Sequence, residues 1–570
     1  MKKLQLHLTA TFAFLSVSVF AQFNADWADI YQHTSVDNFS NEARKVVTDT
    51  VNGGTYVLFD VTSDLDPNNI STATTWSYCV LRKYDLFGSM IASYQFNVGQ
   101  HSSSGFDRRS GFGLKVDYAT GDVYAGYMSY DATTSYDINI TKFDSQLNLL
   151  WTHKFNAPTE DIGLDMDISS VGTAFAVVRS IFPPSAIRYR IIKASGPSTT
   201  TTPYYTYNAQ PDYPTSLAVE GATQKIFLTG YRLVGSVKNI LVSCVSGSAG
   251  AGTLLWSRVN NCGSVTGDDV GRNITLGYDG FLYITGSSTG PVSHGIDVVT
   301  MKYNPTNGKM MWENYINLNL TDGGFFVLNP DDDFVYVSWT AGNTVYIDQM
   351  LAADGFFVRR ISYIPYPVSP YNALAGVTVT DMKISKTMRI FLCGSILASN
   401  GGQDFSASYL IRATFNGRGA AHVEHSIPVE GDPTQSFRGT AISLDVAEEQ
   451  VYFIEDQWMS YANHQQETAI LVSFDMPGGF RLQDDDQDAI SQATTTTITP
   501  NPSSDRIQVR SDQSFNRAEV FDVAGRMVYS LPLLSTEDTI LELKDLTKGI
   551  YTLRLSHDNG TTTVQQIVRN

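Results

Sequence analysis

The sequence predicts an all-β protein: a body of repeated small sheets followed by a small, separate β-sandwich. Three observations predict it. Strand formers are abundant, with 30 Tyr and 30 Phe beside many Val, Ile and Thr. One strand–turn–strand phrase recurs along most of the chain. After Phe480 the texture changes, and a second set of alternating strands completes the sequence.

The first residues read as an address. Met1-Lys2-Lys3 is positive, and Leu4 to Phe20 is mostly apolar, with Phe12, Phe14, Leu15, Val17 and Val19. Val19-Phe20-Ala21 then places small or modest residues at the positions a signal peptidase reads, so cleavage after Ala21 leaves Gln22 as the mature N-terminus. A signal peptide over 1–21 is therefore expected, rather than a membrane anchor. No later stretch is long and apolar enough to span a bilayer as a helix.

At 570 residues the chain exceeds one ordinary core. Its 57 acidic against 39 basic residues give a formal charge of -18. That charge opposes sequence-independent nucleic-acid binding, which needs clustered Lys and Arg, and adhesion to anionic membranes. Solubility outside the cell accounts for it.

The recurring phrase is an alternating segment, a turn of Asp, Gly or Asn, then a β-branched and aromatic strand. Its aromatic anchors are Tyr56, Tyr124, Phe175, Phe227, Tyr283, Tyr336, Phe391 and Tyr452. Their spacing is roughly 50–70 residues, near the length of a four-stranded propeller blade. A second phrase lies between anchors: a strand, a polar turn, and a further strand often opened by Trp. Asp297 to Trp312 (DVVTMKYNPTNGKMMW) is its clearest copy, and the stretches ending at Trp151 and Trp256 repeat it. Each unit thus holds about four short strands with turn chemistry between them.

These phrases resemble the tandem β-propeller repeat of bacterial secreted proteins, with its "D…G-x-(V/L)-Y-x-x-G" and "(V/L)-x-K-(Y/F)-x-x-x-G-x-x-x-W" segments. The resemblance covers Trp27 to Phe480 and is degenerate near Phe175 and Tyr452. Eight anchors favour eight blades, or seven if the first or last unit is not a full blade. The segment around Trp27 has no blade of its own, and the last repeat lacks a Trp-led partner strand. Residues near Trp27 are therefore expected to complete the last blade and close the ring, which removes an exposed sheet edge. The rival is that Phe480-Arg481-Leu482 finishes that blade unaided.

Residues 481–497 are acidic and then Thr-rich, with little to bury, and read as a linker. Residues 498–570 follow as a module of about six short strands. Tyr551, Leu553 and Leu555 alternate inward, as do Ile507 and Val509, which fits a small Ig-like β-sandwich. Asp522 to Arg526 reads as a hairpin turn. In order, Pro500-Asn501-Pro502, Gly525-Arg526, Gly549-Ile550-Tyr551, and Gly560 with Ile567-Val568-Arg569 resemble the type A C-terminal sorting domain of the type IX secretion system of Bacteroidota. The chain departs from the family in ending on Asn570 rather than Lys. The resemblance implies recognition by the outer-membrane secretion machinery after passage through the periplasm. It further implies removal of the module, with the body released or attached to surface lipopolysaccharide.

Candidate chemistry is sparse. Gly286-Ser287-Ser288-Thr289-Gly290 matches G-x-S-x-G but lacks the strand–turn–helix setting of a nucleophile elbow. His422 and Glu424 would share one face of a strand while His425 points away, which is too few ligands for a tight metal site. Asp64, Asp66 and Asn68, and Asp331 to Asp333, offer oxygens to Ca2+ without a complete loop pattern, so solvated turns are the simpler reading. Gly247 to Gly252 reads as a hairpin tip rather than a phosphate cradle. Trp76, Trp339 and Trp458 fit either a binding face or blade packing. Of the four cysteines, Cys79 and Cys393 sit in apolar strands as small hydrophobes, and Cys244 and Cys262 are close enough in sequence for a disulfide between neighbouring strands. No cofactor is implied.

Two functions fit. The first is a non-enzymatic surface or released propeller that binds protein or glycan through loops on one face. The second is an extracellular hydrolase or lyase acting on polysaccharide or peptide, with carboxylates in the channel. Acidic or His side chains converging in one pocket would favour the second.

Overall fold

The computed structural model describes residues 25–475 and 496–569, apart from segments between strands, of which 65–73, 103–110 and 317–325 are the longest. The expected signal peptide, with Ala21 and Gln22, lies outside the described residues, as does most of the expected linker. So do Pro500, Asn501, Pro502, Gly525, Arg526 and Gly560 of the sorting motif. The chain divides into two compact units, Met1–Met476 and Pro477–Asn570. The regular elements of both are strands, and no described helix could cross a membrane.

The first unit is propeller-like. Its strands fall into sets of four antiparallel neighbours, in chain order across each sheet. The set Asp269–Leu276, Leu282–Thr289, Ile296–Tyr303 and Met310–Ile316 is a regular example. The first strands of the eight sets are Asn38–Thr48, Gly111–Asp117, Glu160–Ile168, Asp212–Val219, Asp269–Leu276, Phe326–Leu328, Thr378–Ile384 and Gln435–Asp445.

The last set takes its fourth strand from the other end of the unit. Ala25–Tyr31 pairs antiparallel with His464–Asp475, and Trp27 lies opposite Ser473. One parallel pair, Ser40 with Glu467, joins this last set to the first in an eight-stranded sheet. The Trp27 segment therefore supplies the missing partner strand expected from the sequence.

All eight aromatic anchors are buried, none more than 2% exposed. Each opens the second strand of its set. In the fifth set Tyr283 pairs with Lys302 and Lys302 with Trp312, so the three side-chain types of the repeat phrase lie side by side on three strands. The Lys302 ammonium sits 5.2 Å from the Tyr283 ring. Tyr124, Lys142 and Trp151 repeat the register in the second set. In the third and fifth sets the lysine crosses to the next sheet: Lys193 donates to the Gly247 carbonyl at 2.6 Å and Lys302 to that of Ala352 at 2.7 Å. Trp256 donates in the same way to the Pro305 carbonyl at 3.1 Å. The repeat residues thus cement neighbouring sheets. A charged donor to a buried carbonyl contributes about 1.5–3 kcal/mol.

The second unit is one five-stranded sheet. Two strands, Arg506–Phe521 and Met527–Glu542, are far longer than the short strands expected. Each runs through irregular pairing between Arg510 and Arg517, so that one strand serves both ends of the unit. Ile507, Val509, Tyr551, Leu553 and Leu555 share its core, as their alternation requires. The Tyr551 hydroxyl donates to the Thr547 carbonyl at 2.7 Å, just before the Gly549–His557 strand.

The four cysteines are free and buried. This corrects the expected Cys244–Cys262 bridge. Cys244 pairs with Trp256, whereas Asn260, two residues before Cys262, pairs with Ile240. Asn260 therefore sits four residues along the ladder from Cys244, roughly 13 Å at ~3.3 Å per residue, and Cys262 follows it beyond the end of the strand, with both thiols free.

Candidate functional site

The eight first strands converge on one cavity of about 890 Å³, to which every set contributes lining residues. The local sequence explains what faces it. Along each first strand one row of residues is apolar and packs between sheets: Val46, Leu114, Met166, Leu217, Ile274 and Met382 are all buried. The alternate row, with Lys45, Lys115, Asp165, Asp167, Asn273 and Asp381, joins them in the lining and supplies its polar groups. Seven of the eight first strands carry a register shift, at Ala43/Lys45, Gly111/Gly113, Gly163/Asp165, Pro214/Ser216, Gly271/Asn273, Val379/Asp381 and Gly439/Ala441. A bulge re-aims the side chains that follow it. Lys45, Asp165, Ser216, Asn273 and Asp381, each the residue just beyond the shift, all line the cavity.

These side chains also lace the sheets together. The Asp165 Oδ2 accepts from the Leu217 N–H at 3.0 Å, and Asp167 Oδ2 from Val219 at 2.9 Å. Asn273 Oδ1 accepts from Val327 at 3.3 Å, and Asp381 Oδ2 from Ile442 at 3.2 Å. Each donor belongs to the first strand of the following set. Lys115 bridges to Asp167 at 3.1 Å and Lys383 to Asp381 at 2.9 Å. Asp167 holds the Lys115 ammonium well above the usual lysine range, against the opposing effect of burial, and Asp165 adds to the shift.

The residues of the channel wall are what sequence reasoning missed. Lys45, Lys115, Asp165, Asp167, Asp381 and Lys383 carry no shared motif, and only the polar–apolar alternation of segments such as LDMDI and TDMKI marks them.

The sequence candidates fall elsewhere. Ser288 is fully buried, and its hydroxyl donates to the Cys262 carbonyl at 2.8 Å, so it is a packing residue. Trp339 is also fully buried, stacked 4.0 Å from Tyr346, with its indole N–H on Asp348. His422 and His425 pair with Arg412 and Leu410, while the register skips Glu424, so the strict alternation expected of these three is interrupted. The side chains of Trp76 and Trp458 lie outside the described residues, as do Asp66, Asn68, Asp331 and Asp332. Gly247 and Gly252 flank a hairpin tip, and Gly247 receives the Lys193 ammonium. Among the described residues no three His, Cys, Asp or Glu side chains are placed to hold a metal.

The decisive comparison concerns the second unit. Residues 497–569 match the secretion system C-terminal sorting domain family. The sorting domain marks the chain as a type IX secretion substrate, destined for the cell surface or the medium. No curated protein matches the chain. Among solved structures, PorZ of Porphyromonas gingivalis, an essential bacterial surface component of the type IX secretion system, aligns at TM-score 0.34 and 12% identity over 90% of this chain and 74% of that one. The polysaccharide lyase Uly1 aligns at TM-score 0.39 and 11% identity over 64% of this chain and 90% of its own. The Dos1 propeller aligns at 0.38 and 8% identity over 65% and 94%. Similarity at this level assigns no residue a role.

Proposed function

We propose that the chain is an exported eight-bladed β-propeller of a Bacteroidota cell. In this reading it binds an extracellular protein or glycan without transforming it, and it carries an Ig-like sorting sandwich over 498–570. A signal peptide cut between Ala21 and Gln22 would start the route. Pro500, Asn501, Pro502, Gly525, Arg526, Gly549, Tyr551 and Gly560 would carry the sorting signal.

One observation supports binding over catalysis. The channel carboxylates Asp165, Asp167 and Asp381 accept hydrogen bonds from backbone N–H groups of the wall, which holds them as structural acceptors. A hydrolase or lyase of the alternative kind needs an acid and a base free to exchange protons with substrate. Asp117, the fourth carboxylate of the lining, caps its own turn through the Ala119 N–H.

Two measurements test the reading. Removing residues 497–570 should strand the body in the periplasm, and undiminished surface or medium levels would refute the route. Incubating the purified full chain with neutral and acidic polysaccharides should yield bound complexes without new reducing ends or unsaturated products. Accumulating product would establish the hydrolase or lyase.

A further inference from the structure

The channel wall is unequal in what it offers a ligand. Ring order follows chain order, since successive first strands hydrogen-bond to one another and Thr48 of the first set donates to Ser443 of the last at 2.9 Å. Lys383 stands in the seventh set, Lys45 in the first and Lys115 in the second, with only the eighth set, and its Ser443, between them. The facing arc, in the fourth and fifth sets, carries Ser216, Asn273 and Thr275, which are polar and uncharged.

Hydrogen-bond capacity sharpens the contrast. The wall supplies donors to both oxygens of Asp165: Met166 N–H at 2.9 Å on Oδ1, with Leu217 N–H at 3.0 Å and the Ser216 hydroxyl at 3.1 Å on Oδ2. Asp167 receives Lys115 on one oxygen and the Val219 N–H on the other. Asp381 receives Met382 N–H and Lys383 on Oδ1, and Ile442 N–H on Oδ2. Asp117, also in the lining, caps its own turn through the Ala119 N–H. Each lysine has three donors to place. Lys115 and Lys383 each meet one carboxylate, and Lys45, exposed to the channel, meets none among the described residues. The lysine arc therefore keeps ammonium donors unplaced, while each of the four lining carboxylates already accepts at least one hydrogen bond.

From this imbalance we infer that the Lys383–Lys45–Lys115 arc binds an oxyanion-bearing ligand of short-oligosaccharide size, a uronic-acid or sulfated sugar. The volume of about 890 Å³ matches a small-molecule site rather than a folded partner. Carboxylate or sulfate oxygens would take the spare ammonium donors, and Ser216, Asn273 and Thr275 would meet hydroxyls on the far side. The inference rests on the binding reading above and names its ligand class and location.

The test is titration calorimetry on the purified full chain at low ionic strength, with digalacturonate, maltose and inorganic sulfate as probes. Digalacturonate should bind and maltose should not, and Lys45→Gln should weaken binding at least about tenfold without moving the melting temperature. Sulfate binding as tightly as digalacturonate, with the same loss in Lys45→Gln, assigns the arc to a free oxyanion rather than a sugar acid. Unchanged digalacturonate affinity in Lys45→Gln, equal affinity for maltose, or no binding of either anion overturns the inference. Glycan or protein binding that survives Lys45→Gln and ignores digalacturonate would overturn the channel site while sustaining the binding function.

Discussion

The Lys302 ammonium lies 2.7 Å from the carbonyl oxygen of Ala352, fifty residues on, and the indole N–H of Trp312 donates to the same oxygen at 3.1 Å. One carbonyl in the next sheet thus collects both polar groups of the repeat phrase. In this set the K and the W of the phrase serve one buried acceptor across the sheet boundary.

Replacing Lys302 by Met should destabilise the protein by about 2–3 kcal/mol, because a buried carbonyl loses a charged donor and Asp279, 2.8 Å from the ammonium, loses its counter-ion and keeps only the Tyr283 hydroxyl and the Phe281 N–H. The urea midpoint measures this. Lys309→Met, at an exposed turn position, should leave the midpoint within about 0.5 kcal/mol. Equal effects of the two substitutions would reject the cementing role.

The repeat's turn glycine can be tested beside it. Gly308 has φ +65°, and a Cβ there would sit 2.5 Å from the Trp256 ring of the preceding sheet. Gly280 has φ +73° with nothing within 4 Å. Alanine at Gly280 should cost about 1 kcal/mol, the left-handed penalty alone. Alanine at Gly308 should cost at least about 1 kcal/mol more, because the ring must move. The comparison of unfolding midpoints separates backbone strain from sheet packing.

What the sequence disclosed follows from where the information sits. Tyr283, Lys302 and Trp312 serve equivalent boundaries, so they recur and are visible as a phrase. The alternation of Tyr551, Leu553 and Leu555 exposes a core face directly, because the strand period needs no partner to be read. Lys45, Asp165 and Asp381 were not legible. Their role depends on a one-residue bulge and on a neighbour about fifty positions away, and each sheet fills the shared position differently. The cysteines failed for a related reason. Spacing placed Cys244 and Cys262 near each other, but the ladder runs Cys244 beside Trp256 and carries Cys262 past the far end of the strand.

Burial pushes the Cys244 and Cys262 thiols up to about 12. Neither should react with a disulfide reagent at pH 8 in the folded protein, and all four thiols should titrate in urea. Intact mass after alkylation under denaturing, non-reducing conditions should show four adducts. Two adducts would restore the disulfide.

Strand Ala25–Tyr31 fills the outer edge of the last set. Deleting it should lower the melting temperature by several degrees and promote association, because the His464–Asp475 strand then presents unpaired backbone groups. Scanning calorimetry and light scattering check both effects. Full stability in the deleted chain would return closure to the residues after Asp475.

Asp161 gives the fold a pH dependence with a definite sign. It is fully buried, and desolvation raises its pKa to about 7, against the lowering effects of the Ser180 hydroxyl, Arg190 and the Thr159 hydroxyl. Asp137, whose own partner is Lys154 at 2.9 Å, adds to the rise. A carboxyl whose folded pKa exceeds its unfolded value holds its proton longer in the folded state. Its stabilising contribution is complete below about pH 4 and is lost as pH rises toward about 7. Between pH 5 and pH 8 the protein should therefore lose on the order of 2 kcal/mol through this one group. Asp161→Asn keeps the acceptor for Ser180 and Thr159 but cannot ionise, so its unfolding free energy should be flatter over the same interval. His153, whose pKa burial lowers, titrates in both proteins and cancels in the difference. Parallel pH profiles for the two proteins would show that Asp161 ionises in the folded state as readily as in the unfolded one. The Arg190 guanidinium, 3.8 Å away, would then be its effective counter-ion.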